Sequence, residues 1–209
     1  MATWVWILIA AVVVCVIVLG AAWATMRTRR THALQDRFGG EYDRTVDREG
    51  GRRRAERELL EREKRHDELE LKPLPAEARS RYLQRWHATQ ERFVDDPKGA
   101  VAEADQLVEQ VMQDRGYPVE HFDQQAADIS VDHPDLVEKY RTAHGIAMAS
   151  ERGTADTEDL RHSVRHYRAL FVELLGAGAG DDLENVDDVS SRDGDTADLR
   201  DREQVGRER

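Results

Sequence analysis

The sequence predicts an all-α protein: an N-terminal transmembrane helix, a charged spacer helix, and then a compact bundle of four to five helices. Three observations carry that prediction. A long apolar run lies near the start of the chain. No later stretch alternates apolar and polar residues with the period of two that a half-buried strand needs. From Pro73 to Leu175, apolar residues recur at helical spacing between Pro and Gly punctuation.

The run from Trp4 to Ala24 holds 21 residues without a charge. As a helix at about 1.5 Å per residue it is roughly 31 Å long, close to the hydrocarbon thickness of a bilayer. It is apolar all round, which suits lipid on every side. A cleavable signal needs a basic n-region, a core of about 7–15 residues and a small-residue cleavage site. Here Met1, Ala2 and Thr3 precede the run without a charge, and the core is too long. Ala21, Ala22 and Ala24 supply a cleavage-like site, so release of an extracytoplasmic domain is the competing expectation. Val12-Val13-Val14-Cys15 departs from a lipoprotein box because a bulky Val stands before the cysteine.

Orientation follows from charge. Arg27, Arg29, Arg30 and Arg37 crowd the far border of the run, and no basic side chain precedes it. Cationic flanks stay cytoplasmic, so the reading is a single-pass protein of the plasma (inner) membrane, N-terminus outside and the bulk of the chain inside. Trp4, Trp6 and Trp23 lie near the two ends, where amphipathic rings favour the interface. Gly20 and Ala24 have the spacing that lets two spans approach closely as a homodimer, although small residues are common in any span.

Residues 26–72 carry 14 Lys+Arg against 12 Asp+Glu, whereas residues 73–175 carry 12 against 19 and residues 176–209 carry 5 against 11. The basic excess therefore adjoins the predicted span. Anionic lipid headgroups would attract Arg27 to Arg54, at about 1 kcal/mol per cation near the surface. The acidic remainder would be repelled by phosphate, which argues against nucleic acid as a partner. The only cysteine is Cys15, within the run, which excludes an intramolecular disulfide and a cysteine-based zinc site.

Gly39-Gly40 and Gly50-Gly51 punctuate a segment of short helix and turn. Arg52 to Leu71 is helix-forming and almost wholly charged, with Arg54–Glu58, Arg57–Glu61, Glu58–Arg62 and Glu61–Arg65 paired at i,i+4. Its few apolar residues, Ala55, Leu59, Leu60, Leu69 and Leu71, are too thin a seam for a sustained coiled coil. The reading is a stiff spacer with a weak self-association edge, ended by Pro73 and Pro75.

Five amphipathic helices follow. The first, about Ala76–Phe93, aligns Tyr82, Leu83, Trp86 and Phe93. The second, about Pro97–Arg115, aligns Val101, Ala104, Leu107, Val108, Val111 and Met112, then stops at Gly116. The third, about Val119–Ala127, offers Phe122 and Ala126. The fourth, about Pro134–Ser150, offers Leu136, Val137, Tyr140, Ala143, Ala147 and Met148. The fifth, about Thr157–Leu175, offers Leu160, Val164, Tyr167, Leu170, Phe171 and Leu174. The remainder is poor in apolar residues and rich in Asp and Gly, the composition of a disordered tail. The organisation is thus an anchor over 1–26, a basic juxtamembrane segment with the spacer over 27–72, a helical domain over 73–175 and an acidic tail over 176–209.

Val94-Asp95-Asp96-Pro97 and Val131-Asp132-His133-Pro134 are similar and each precedes a helix. Pro suits the first turn and Asp before it caps free N–H groups. An Asp pair or Asp–His pair also has the chemistry to bind a cation or relay a proton. His144 lies one turn after Tyr140 on the fourth helix, and His162 and His166 are at i,i+4 on the fifth, without the glutamate of the zinc-protease motif. No phosphate-cradling Gly loop or nucleophile elbow occurs, and Gly176 to Gly180 follows a helix instead of opening one.

The stretches "LQDRFGGEYDRTVDREG", "AERELLEREKRHDELELKPL", "RYLQRWHATQERFVDDP", "SVDHPDLVEKYRTAH" and "TEDLRHSVRHYRALFVELL" resemble a family of small uncharacterised bacterial proteins, found particularly in actinobacteria. The resemblance covers about residues 34–175. It implies one N-terminal span and a helical domain, and brings no established activity. Some members are labelled secreted, against the orientation that the arginines give here.

The function expected is binding: a membrane-anchored scaffold that holds a protein partner near the bilayer, without a metal or cofactor. The candidate binding surface is Trp86, Asp95, Asp96, Asp132, His133, Tyr140 and His144. The alternative is a metal-dependent sensor or enzyme built on the Asp/His set.

Overall fold

Every regular element among the described residues is a helix. The computed structural model describes residues 28–176 and 178–181, with Trp4, Cys15, Ile17, Val18, Leu19, Thr25, Met26 and Leu183 besides. The predicted span over 4–24 lies almost wholly outside these residues, as does the tail from 184 onward. Among the described residues no helix is long and apolar enough to cross a membrane.

The elements are α1 (28–38), α2 (Gly40–Glu49), α3 (Arg52–Asp67), α4 (Ala76–Asp95), α5 (Pro97–Arg115), α6 (Phe122–Asp132), α7 (Pro134–Glu151) and α8 (Thr157–Leu175). They divide into two compact units. The first comprises the chain up to Asp67 together with Ser130–Asp135. The second comprises Glu68–Ile129 and the chain from Leu136 onward.

In the first unit, glycines make both turns. Gly39 (φ 49°) separates α1 from α2, and Gly50 (φ 66°) ends α2 in the left-handed conformation. Helix α3 packs on α2. Leu34, Phe38, Tyr42, Leu59 and Val131 form the apolar centre. The free-standing spacer expected from the sequence is therefore not what forms: α3 buries Ala55, Leu59, Arg62 and His66 along one stripe. Arg62 is 1% exposed. Its Nη1 lies 2.9 Å from Glu41 Oε1, its Nε 3.0 Å from Glu58 Oε1, and its Nη1 3.4 Å from Ser130 Oγ. Nearby, His66 Nε2 is 2.9 Å from Asp132 Oδ2.

Helix α3 also ends earlier than its charge pattern suggests, at Asp67. The residues after it leave helical geometry, and Leu69, Leu71 and Leu74 pack in the core of the second unit. Lys72 N donates to Arg115 O at 2.9 Å. A close approach fixes Gly116, whose φ is +98° and where a Cβ would stand 2.8 Å from Glu70 O.

The second unit is built around α5, which packs against both α4 and α8. The α5 stripe read from the sequence, Val101 to Met112, is buried in full. Trp86 of α4 stacks on Phe171 of α8 with ring centres 4.6 Å apart. Ser163 Oγ donates to Ala143 O at 3.1 Å, and both residues are wholly buried, so α7 and α8 meet at this point. Helix α6 runs five residues beyond its expected end because Ile129 and Val131 are buried. Ala179 and Leu183, assigned from composition to the disordered tail, are also buried in this core.

Arg62→Met is expected to strand the Glu41 carboxylate and to cost roughly 3–5 kcal/mol. Adding Glu41→Leu should return most of that loss, because two apolar side chains replace the pair. Urea denaturation of the full chain, wild type against single and double variants, checks both outcomes.

Candidate functional site

The structure scatters the seven residues singled out from the sequence. Trp86 is fully buried, so it is a core residue and not part of a binding surface. Its large apolar area explains this: a stacked indole contributes most when water is excluded from both faces. Asp95 is exposed at the end of α4. Asp96 caps α5, its Oδ1 accepting from Gly99 N at 2.9 Å, and its Oδ2 lies 3.3 Å from Arg92 Nη2. A Cβ at position 99 would stand 2.0 Å from Asp96 Oδ2, so this tight cap requires glycine. The Asp-Pro motif here is a helix start.

The second copy of that motif behaves differently. Asp132 faces His66 in the first unit, with His133 half-buried at the corner between α6 and α7. His144 lies in the second unit and takes a different acid, its Nδ1 3.9 Å from Asp105 Oδ2. Among the described residues, no group of three or more His, Cys, Asp or Glu is arranged to hold a metal ion. The His162 and His166 rings stand 6.3 Å apart, tilted by 40°. Burial first, then the neighbouring His162 and Lys139, lower the pKa of His166.

Tyr140 and His144 do come together, with partners the sequence reading did not name. Phe122 of α6 stacks on His144 at 3.7 Å between ring centres, with planes 9° apart. The Tyr140 hydroxyl donates to Gln125 Oε1 at 2.7 Å. Gln125 Nε2 in turn donates to Val119 O at 2.9 Å, so the buried amide is used at both ends. Asp105 and Glu109 on α5 complete the cluster, with Tyr167 of α8 set edge-on to Tyr140 at 6.3 Å. Asp105 and Glu109 flank the apolar stripe at i,i+4, a spacing visible in the sequence but overshadowed by the stripe itself.

The electrostatics of this cluster favour neutral forms. Burial first, then the nearby carboxylates, raise the pKa of Tyr140 and of Tyr167, so both phenols stay protonated through the physiological range. Burial and the Asp105 charge raise Glu109, against the opposing pull of a hydrogen bond with Gln125 and of His144. The arrangement is a half-buried polar band in which each carboxylate lies near a donor. Its geometry suits holding α5, α6, α7 and α8 in register.

Comparison with protein-family models, with curated proteins and with solved structures finds no match.

Tyr140→Phe removes the donor to Gln125 and leaves a buried amide oxygen unsatisfied, so a loss of about 1–3 kcal/mol is expected in chemical denaturation. For Glu109, the folded state holds the proton more tightly than the unfolded chain. Its contribution to stability is present at low pH and is lost as pH rises through the ordinary value of 4.5 towards the raised one. Glu109→Gln should therefore raise the denaturation midpoint at neutral pH and leave it unchanged near pH 3.5, read as the difference from wild type at each pH.

Proposed function

We propose that this chain is a single-pass inner-membrane protein that holds a protein partner beside the bilayer. The span is the apolar run over 4–24, with the N-terminus outside and the two helical units in the cytoplasm. The observation that carries the reading is the charge asymmetry of the run: arginines follow it at 27, 29, 30 and 37, and no charged side chain precedes it.

The described structure supports a binding role through the surfaces it leaves available. In the second unit, Val94 is 83% exposed beside Asp95, which presents an apolar side chain framed by acid at the α4–α5 corner. The net charge of residues 73–175, 12 Lys+Arg against 19 Asp+Glu, suits a basic partner. The Tyr140 hydroxyl is taken up by Gln125 and the His144 ring by Phe122, so these groups have packing roles in this unit.

Alkaline carbonate extraction of cells carrying the full chain should leave it in the membrane pellet. Protease added to intact spheroplasts should spare the helical units. Shaving of the bulk of the chain from outside would reverse the orientation, and release by carbonate would remove the anchor. With topology settled, a tagged full chain should retrieve a basic protein, and Val94→Ser with Asp95→Lys should lower the recovery several-fold.

A further inference from the structure

Between α1 and the start of α3 the first unit holds an open cleft of about 440 Å³, lined by Thr28, Thr31, His32, Gln35, Arg52 and Glu56. We infer that this cleft binds one phosphate group, that of an anionic phospholipid headgroup. The lining is rich in donors that the fold itself does not use. His32, Gln35 and Arg52 make no side-chain hydrogen bond or ion pair among the described residues. The one carboxylate, Glu56, keeps its charge, but its Oε1 is held by the fold, accepting from Thr31 Oγ1 at 2.8 Å and from the Tyr42 hydroxyl at 3.2 Å. That leaves a planar cation, an amide and an imidazole facing the same space, the donor set that takes phosphate oxygens.

Two further features favour an anion in this place. Arg52 opens α3, and the first turn of that helix holds no acid. The positive end of the helix therefore adds to the guanidinium instead of being neutralised. Thr28 is four residues beyond Ala24, the end of the apolar run. In sequence, the cleft therefore borders the segment that the membrane reading places in the bilayer. The lipid source rests on the membrane reading above; the phosphate chemistry of the cleft does not.

The full chain, purified in detergent and placed in nanodiscs of equal phosphatidylglycerol and phosphatidylcholine, tests this by native mass spectrometry after mild delipidation. Wild type should retain one phosphatidylglycerol per chain. Arg52→Ala should weaken retention about tenfold, a change expected for one lost charge-assisted contact. Gln35→Glu, which sets a second carboxylate on the cleft, should weaken it as much. Arg57→Ala removes the same charge from an exposed position of α3 outside the cleft and should leave retention unchanged. A second arm titrates glycerol phosphate into the lipid-free chain. Saturable binding there that is lost in Arg52→Ala, without lipid retention, would keep the phosphate cleft and remove the membrane source. Equal loss in Arg52→Ala and Arg57→Ala, or no saturable binding in either arm, would overturn the proposal. Circular dichroism of each variant guards against misfolding as the cause.

Discussion

A guanidinium removed from water cannot shed its charge, because it delocalises that charge too well to lose the proton. Once Arg62 is buried, the first unit has to supply its counter-charges. It supplies two, Glu41 on α2 and Glu58 one turn earlier on α3, and adds a neutral acceptor, the Ser130 hydroxyl at the end of α6. The apolar centre of Leu34, Phe38, Tyr42, Leu59 and Val131 is small, and the Arg62–Glu41 pair ties α3 to α2 at one register. The ion pair therefore contributes little net stability and much definition, the balance expected of buried charge. That register also fixes what α3 turns outward. With Ala55, Leu59, Arg62 and His66 inward, Arg52 and Glu56 fall side by side on the adjoining face and form one wall of the cleft.

The second unit solves the same problem in the opposite way. Its core is apolar and its acids stand at the margin. Asp105 and Glu109 border the α5 stripe, and the groups that meet them are uncharged donors or a single imidazole. Where burial and like charge raise a carboxyl or phenol, the neutral form is the one the fold accommodates. His144 illustrates the consequence. One face of its ring lies against Phe122 and its Nδ1 is directed to Asp105, so packing and one polar neighbour account for its position.

Much of this second unit was legible in the sequence. Pro97 to Arg115 and Thr157 to Leu175 begin and end where proline, aspartate and glycine say they should, and the apolar stripes face the core. What escaped did so for physical reasons. The inward stripe of α3 is apolar only in its first half, Ala55 and Leu59, and polar in its second, Arg62 and His66, so hydrophobic periodicity alone shows only a solvated charged helix. The partner that makes Arg62 a core residue is 21 positions away. Helix α6 continues through Ser130 because its last turn is buried by residues distant in sequence, and α3 stops early because Leu69 and Leu71 are needed in another core. Aromatic residues were the opposite case. Trp86 and Tyr140, candidates for a binding surface by residue type, are fully buried, because large rings on an apolar stripe serve the core first.

The arginines at the start of α3 carry an electrostatic cost. Arg52, Arg53 and Arg54 occupy the first turn, where the positive end of the helix dipole disfavours each cation by about 0.3–1 kcal/mol. Arg54 escapes the penalty by reaching back to Glu49 O at 3.3 Å, where it helps to cap the C-terminus of α2. Arg52 and Arg53 have no such outlet, and acids at these exposed positions would disturb none of the buried stripe. In water alone the arrangement is a small net cost. Beside an anionic surface each cation gains about 1 kcal/mol, enough to cancel it. The two quantities are of the same size, so the first turn of α3 is unfavourable in solution and neutral or better at a phosphate-bearing surface. The cost borne by Arg52 and Arg53 in water is thus about what one anionic neighbour apiece would offset.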